Sequence, residues 1–256
     1  GRDIRIGSTA SLTTVGSGAI TLTAARDVDL KVNDGGANAA SNSISAAGNL
    51  AITATAGQIM RTDADLAGVT ASAINLSAGT SIGAFGNISA TSGAATLNAG
   101  TTLSTSGFTV SATGPVALSA GSTLSVSTVT ASGATSDVTL SSSAGTVSGG
   151  TLSAGNDIAV NAVTGITMGA ITAGTGGNGT VVLTNTGTAS DITLTSTVQA
   201  TNAGLADTAA AITVNSARDI RVGSTSNLTA ATSGAIVLTA ARDVDLKVND
   251  GGATAA

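Results

Sequence analysis

An alternating apolar/polar tetrad returns along the whole chain, and it allows few folds. It reads Ile20-Thr-Leu-Thr, Ile52-Thr-Ala-Thr, Ile74-Asn-Leu-Ser, Ala95-Thr-Leu-Asn, Val116-Ala-Leu-Ser and Val138-Thr-Leu-Ser. It continues as Ile158-Ala-Val-Asn, Val181-Val-Leu-Thr, Ile212-Thr-Val-Asn and Ile236-Val-Leu-Thr. Strict alternation marks a half-buried strand. A return every 20–24 residues, with longer gaps near Asn33–Ser43 and Thr197–Ala210, marks a stacked repeat.

Between anchors lie shorter alternating segments such as Ser81-Ile-Gly, Asn87-Ile-Ser, Thr123-Leu-Ser-Val and Thr128-Val-Thr. Each coil therefore reads as three short strands joined at Gly, Ser or Asn turns. One coil alone leaves its backbone N–H and C=O groups unpaired, and stacking pairs them as parallel ladders. The expected fold is all-β: a parallel β-helix (β-solenoid) with triangular coils of roughly 20–24 residues. The crossover rule makes it right-handed. Composition agrees with a narrow core. Phe85 and Phe108 are the only aromatic residues, Trp, Tyr, Cys and His are absent, and the apolar 42% is almost entirely Ala, Val, Ile and Leu.

A longer repeat encloses the short one. Gly1–Ala40 returns without a gap as Ala217–Ala256, with 31 of 40 positions identical. Residues 1–256 thus read as one continuous solenoid, with 1–216 one long repeat and 217–256 the start of the next. Neither end reads as a cap. The chain is expected to belong to a longer array or to stack on copies of itself.

The 14 acidic residues are all Asp, net charge is −5, and no Lys or Arg occurs between Thr62 and Ala217. No basic stripe is available to neutralise phosphates, so nucleic acid is not an expected partner. The strands are too short for a membrane barrel, and its aromatic girdles are missing, so no membrane insertion is expected. The charged coils predict a register. Stacking GRDIRI on ARDVDL places Arg5 beside Asp29 and, in the second copy, Arg221 beside Asp245. Arg2 reaches Asp27 on the diagonal. These are expected cross-coil ion pairs with a structural role.

Runs such as Gly18–Val32 (GAITLTAARDVDLKV) and Ser216–Val222 (SARDIRV) resemble the shaft repeats of filamentous haemagglutinin-like large exoproteins. The resemblance implies a right-handed parallel β-helix that is secreted to the bacterial cell surface. It also implies export by two-partner or autotransporter routes and a role in adhesion, biofilm or cell–cell contact. The expected partners are neighbouring repeats or end-to-end copies of the chain in a fibre, with lateral bundling and cell-surface glycans or proteins as further candidates. The family's export motif is absent, and no Arg-Gly-Asp tripeptide occurs.

Other chemistry finds little support in the residues. The Asp pairs Asp27/Asp29, Asp63/Asp65 and Asp243/Asp245 suit general acid–base work only with tuned partners and a cleft. Without His, Glu, Tyr or Trp they read as exposed strand faces. No enzyme, cofactor or metal site is expected. The turns Asn33-Asp-Gly-Gly and Asn249-Asp-Gly-Gly lack the calcium-roll pattern. A display ladder of Thr21, Thr23, Thr53, Thr55, Asn75 and Thr96 offers the rival reading, a binding face for glycans or, less favourably, ice.

Overall fold

The computed structural model describes residues 2–7, 9–31, 42–62, 67–83, 85–203 and 209–248. Among them there is no helix, and the strands pair in parallel. Three sheets stack as a β-solenoid of about 10 turns.

Each coil has three faces. Face one starts with strands Ile4–Arg5, Val28–Asp29 and Ile59–Met60, and single bridges through Ile82 carry it to Leu103. Face two starts with Leu12–Thr13, Asn42–Ala46, Ala67–Ala71 and Ile88–Ala90. In mid-chain the strands Leu103–Ala112, Leu124–Ala131, Thr146–Ala154 and Gly165–Ala173 run round the corner from face one to face two. Face three is a 10-stranded sheet from Ile20–Ala24 to Ala235–Ala240.

Nine register steps carry face three from Ile20 to Ile236, its counterpart in the second copy of the long repeat. The long repeat is therefore a whole number of coils. One anchor differs from the expected alignment. Ile20 stacks on Leu50, and Ile52 stacks on Leu22. Strand Leu50–Ala54 offers two phases with the same inward parity, and the backbone ladder selects the one two residues earlier.

The core follows from the alternation. On face three each strand sends three side chains inward, as Ile74, Leu76 and Ala78 or Val116, Leu118 and Ala120, all buried. Columns of like residues fill a core only a few side chains wide. Phe85 is buried, while Phe108 lies under the Arg61 guanidinium, 5.6 Å from the ring centroid.

The Ser and Thr content has a structural use at the corners. Thr91 Oγ1 donates to the Ala71 carbonyl, Thr113 Oγ1 to Thr91, and Ser132 Oγ to Ala112, each one coil back. The Ala71 and Ala112 carbonyls, which also accept the N–H of Thr91 and Ser132, thus gain a second donor at the corner.

The duplication exposes one strained site. Gly16 sits at φ +67°, and its equivalent in the second copy, Thr232, holds φ +76°. A β-branched residue in the left-handed region costs about 1–2 kcal/mol. Thr232→Gly is expected to stabilise the last coils by about 1 kcal/mol, read as slower amide exchange in strands Leu228–Ala231 and Ala235–Ala240. Unchanged or faster exchange would contradict this.

Candidate functional site

Two surface features merit a functional reading: a set of charged groups at the strand starts, and the outward columns of face three. "Above" here means toward the C-terminal end of the stack.

The charged set grows from a local pattern. Asp stands immediately before the first inward Ile or Val of a strand at Asp3, Asp27, Asp137, Asp157, Asp191, Asp219 and Asp243. In that position the carboxylate can turn up to the N–H of the coil above. Asp27 Oδ1 accepts from Gln58 N at 3.0 Å, Asp137 Oδ1 from Asp157 N at 3.1 Å, and Asp157 Oδ1 from Thr180 N at 2.7 Å. Asp219 Oδ1 accepts from Asp243 N at 3.2 Å, with Asp3 Oδ1 and Asp27 N more distant at 3.4 Å. Each is a charge-assisted bond to an otherwise orphaned corner N–H.

Arginines clamp the charged coils from above. Arg26 donates through Nε (2.8 Å) and Nη2 (2.6 Å) to the two oxygens of Asp3. Arg242 makes the same fork on Asp219, at 2.9 and 2.5 Å. The two forks occupy equivalent places in the two copies of the long repeat. One coil lower, Arg218 Nε lies 3.4 Å from Asp191 Oδ1 and Arg221 Nε 2.9 Å from Asp191 Oδ2.

The expected pairs fare differently in backbone and side chain. Arg5 is the register partner of Asp29, and Arg221 of Asp245. The ion pairs do not form. Asp29 is buried, and its carboxylate accepts from Lys31 N, Thr62 N and Thr62 Oγ1 at 3.1, 3.2 and 2.7 Å. Three local donors outweigh one exposed guanidinium, whose pairing in water is weak. Arg221 turns down to Asp191, away from Asp245. Asp27 takes Arg26 Nε at 3.1 Å in place of Arg2. Among the described residues Arg2 and Arg5 form no ion pair.

The Arg26 hydrogen bond holds the Asp3 carboxyl below its usual value against the opposing effect of burial, and Arg242 does the same for Asp219. A folded-state value below the unfolded one, ~3.9, gives stability that is present above the unfolded value. It is lost as pH falls through the folded value. Asp219→Asn is therefore expected to lower the urea midpoint at pH 6, and its gap from wild type to close as pH falls below the ordinary carboxylate range. A gap that persists in strong acid would contradict a charge-based role.

On face three the display ladder is partly re-sorted. Thr21 stacks on Ala51, then Asn75 and Thr96, so this column is interrupted. Thr53 belongs to the adjacent column above Thr23, and Thr55 lies beyond the strand, which ends at Ala54. That adjacent column runs Thr23, Thr53, Ser77, Asn98, Ser119, and on to Thr239, with Thr, Ser or Asn at every level. Ser119 Oγ donates to Asn98 Oδ1 at 3.0 Å along it.

The remaining candidates place as follows. Asp27 and Asp29 spend their carboxylates on the bonds above. Asp63, Asp65 and the Asn33-Asp-Gly-Gly and Asn249-Asp-Gly-Gly turns lie outside the described residues. Among the described residues no three His, Cys, Asp or Glu side chains gather as a metal site. Compared with protein-family models, curated proteins and solved structures, the chain finds no match.

Proposed function

We propose that this chain is a section of the structural shaft of a secreted bacterial surface fibre. In this reading it supports adhesion, biofilm formation or cell–cell contact and carries no active site. One observation carries it. Nine coil steps bring the chain from Ile20 back to the same face and register at Ile236, so further periods continue the stack in phase. A solenoid gains stability with each neighbour and transmits stiffness along its axis. The shaft-repeat resemblance of Gly18–Val32 adds the cell-surface setting.

The test is immunogold labelling of intact producing cells with antibodies raised against the chain. Label along thin external fibres, lost on deleting the gene together with surface attachment, is the expected result. Label confined to the cell interior would overturn the proposal.

The unbroken Thr/Ser/Asn column favours a second reading, a glycan-binding face. Thr53→Lys with Ser77→Lys and Ser119→Lys is expected to leave fibre length unchanged for a shaft. Loss of cell binding with intact fibres would favour the binding face.

A further inference from the structure

Where face one begins, the stack opens a hollow that the shaft reading leaves unused. It holds about 380 Å³ and spans the coils that start at Thr146, Gly165 and Asp191. Further coils stand below and above it, so it belongs to the interior of the stack. A long corner forms one wall. Six residues separate Asn185 from Ile192, where the coil below has two between Ala162 and Gly165. The added residues come down against Gly165, where a Cβ would stand 3.1 Å from that of Ser190. Three hydrogen bonds fix them. Buried Asn185 gives its Nδ2 to the Ser190 carbonyl, and its Oδ1 takes the Gly187 N–H at 3.1 Å. Arg218 Nη1 reaches the Ala189 carbonyl at 2.7 Å. The wall is thus set before any ligand arrives.

The lining specifies a ligand. Thr146, Ser148, Thr167, Ser190 and Thr193 bring hydroxyls, and no aromatic ring is among the lining residues. Asp191 brings a carboxylate whose Oδ1 is enclosed yet accepts no hydrogen bond; Arg218 Nε, 3.4 Å away, gives it a charge contact only. An enclosed acceptor without a donor is costly, and a ligand O–H relieves that cost. The ion-pair cluster around it balances, with Asp191, Asp219 and Asp243 set against Arg218, Arg221 and Arg242. Such a cluster offers an ion of either sign no net attraction. We propose that this hollow binds a neutral sugar residue of a polysaccharide. One ring hydroxyl donates to Asp191, and its neighbour accepts from the half-buried Arg218 guanidinium. A carboxylate beside a guanidinium matches a vicinal diol in this way. The serine and threonine hydroxyls, each donor and acceptor, serve the remaining O–H groups. The site lies on face one, apart from the Thr/Ser/Asn column of face three.

Chemical-shift titration of the 256-residue chain with the methyl glycosides of glucose, galactose and mannose tests the site, with glucuronate as anionic control. At least one glycoside is expected to bind at roughly 1–10 mM, with shifts concentrated at residues 146–148, 165–167 and 190–193. Asp191→Asn is expected to weaken that binding roughly tenfold. Thr167→Met, an outward change that fills the hollow, is expected to abolish it. The triple lysine variant of face three is expected to bind as wild type. The amide spectrum reports the fold of each variant, and Thr167→Met alone decides if Asp191→Asn does not fold. No shifts with any glycoside at about 50 mM would overturn the site. So would shifts spread evenly over all three faces, unchanged affinity in folded Asp191→Asn or Thr167→Met, or tighter binding of glucuronate. Each of these results leaves the shaft reading standing, since labelled fibres on cells decide that independently.

Discussion

Truncating Leu118 to alanine is expected to destabilise the rod by about 2–5 kcal/mol, the range for emptying a buried leucine site. Leu118 is 1% exposed and sits in an inward column between Leu97 and Leu140. Its neighbours cannot collapse into the void, because ladders on adjoining faces hold each coil at the strand spacing. Ser119, one residue on, points outward, and Ser119→Ala is expected to change stability by less than about 0.5 kcal/mol. Each coil touches mainly its two neighbours, so the damage is local before it is global. Amide protection is expected to fail first in strands Ala95–Ala99, Val116–Ala120 and Val138–Ser142. Urea titration with exchange mass spectrometry checks both parts. Equal costs for Leu118→Ala and Ser119→Ala would mean that the inward and outward assignment is wrong.

Gly121→Ala is the second large effect, and its origin is close approach. A Cβ at Gly121 would stand 1.9 Å from the Gly100 carbonyl oxygen, and one at Gly100 would stand 2.0 Å from that of Gly79. The three glycines stack at the corner that follows face three, where Gly121 N donates to Ala99 O and Gly100 N to Ala78 O. The obstruction is backbone already held in the ladder, so relief requires separating two coils. Overpacking of this kind costs about 1–3 kcal/mol. Ser122→Ala at the next, exposed position is expected to be within about 0.5 kcal/mol. A Gly121→Ala protein with wild-type urea midpoint would show that the coils do not approach this closely.

Much of the fold is legible in the amino-acid sequence alone. Alternation reports which side chains face inward, because strand geometry has period two. That yields the core columns, the three-strand coil and the parallel stack. Alternation reports parity only, however. It cannot separate Leu50 from Ile52 as the partner of Ile20, since both are inward on one strand. Ladder hydrogen bonds make that choice, and the display ladder aligned on Ile52 shifts with it. The charged residues show a second gap. Register correctly places Arg5 beside Asp29, yet side chains several bonds long choose partners by local donors. A usable signal lies in the seven Asp residues directly before Ile or Val, a spacing that fits a corner cap reaching the next coil. Asp29, before Leu30, looks outward by alternation but is buried, its carboxylate bonded to Lys31 N and Thr62. The glycine corner is invisible in one coil and follows only once coils are stacked.

The central claim is that one long repeat, from Ile20 to its counterpart Ile236, makes nine coils of one continuous shaft. Electron microscopy of native fibres with axial diffraction tests it most directly. Nine coils at the ~4.8 Å strand spacing predict an axial repeat of about 43 Å, with a meridional reflection near ~4.8 Å from strands lying across the fibre. Fibres whose axial repeat is a different number of coils, or in which strands run along the axis, would contradict it.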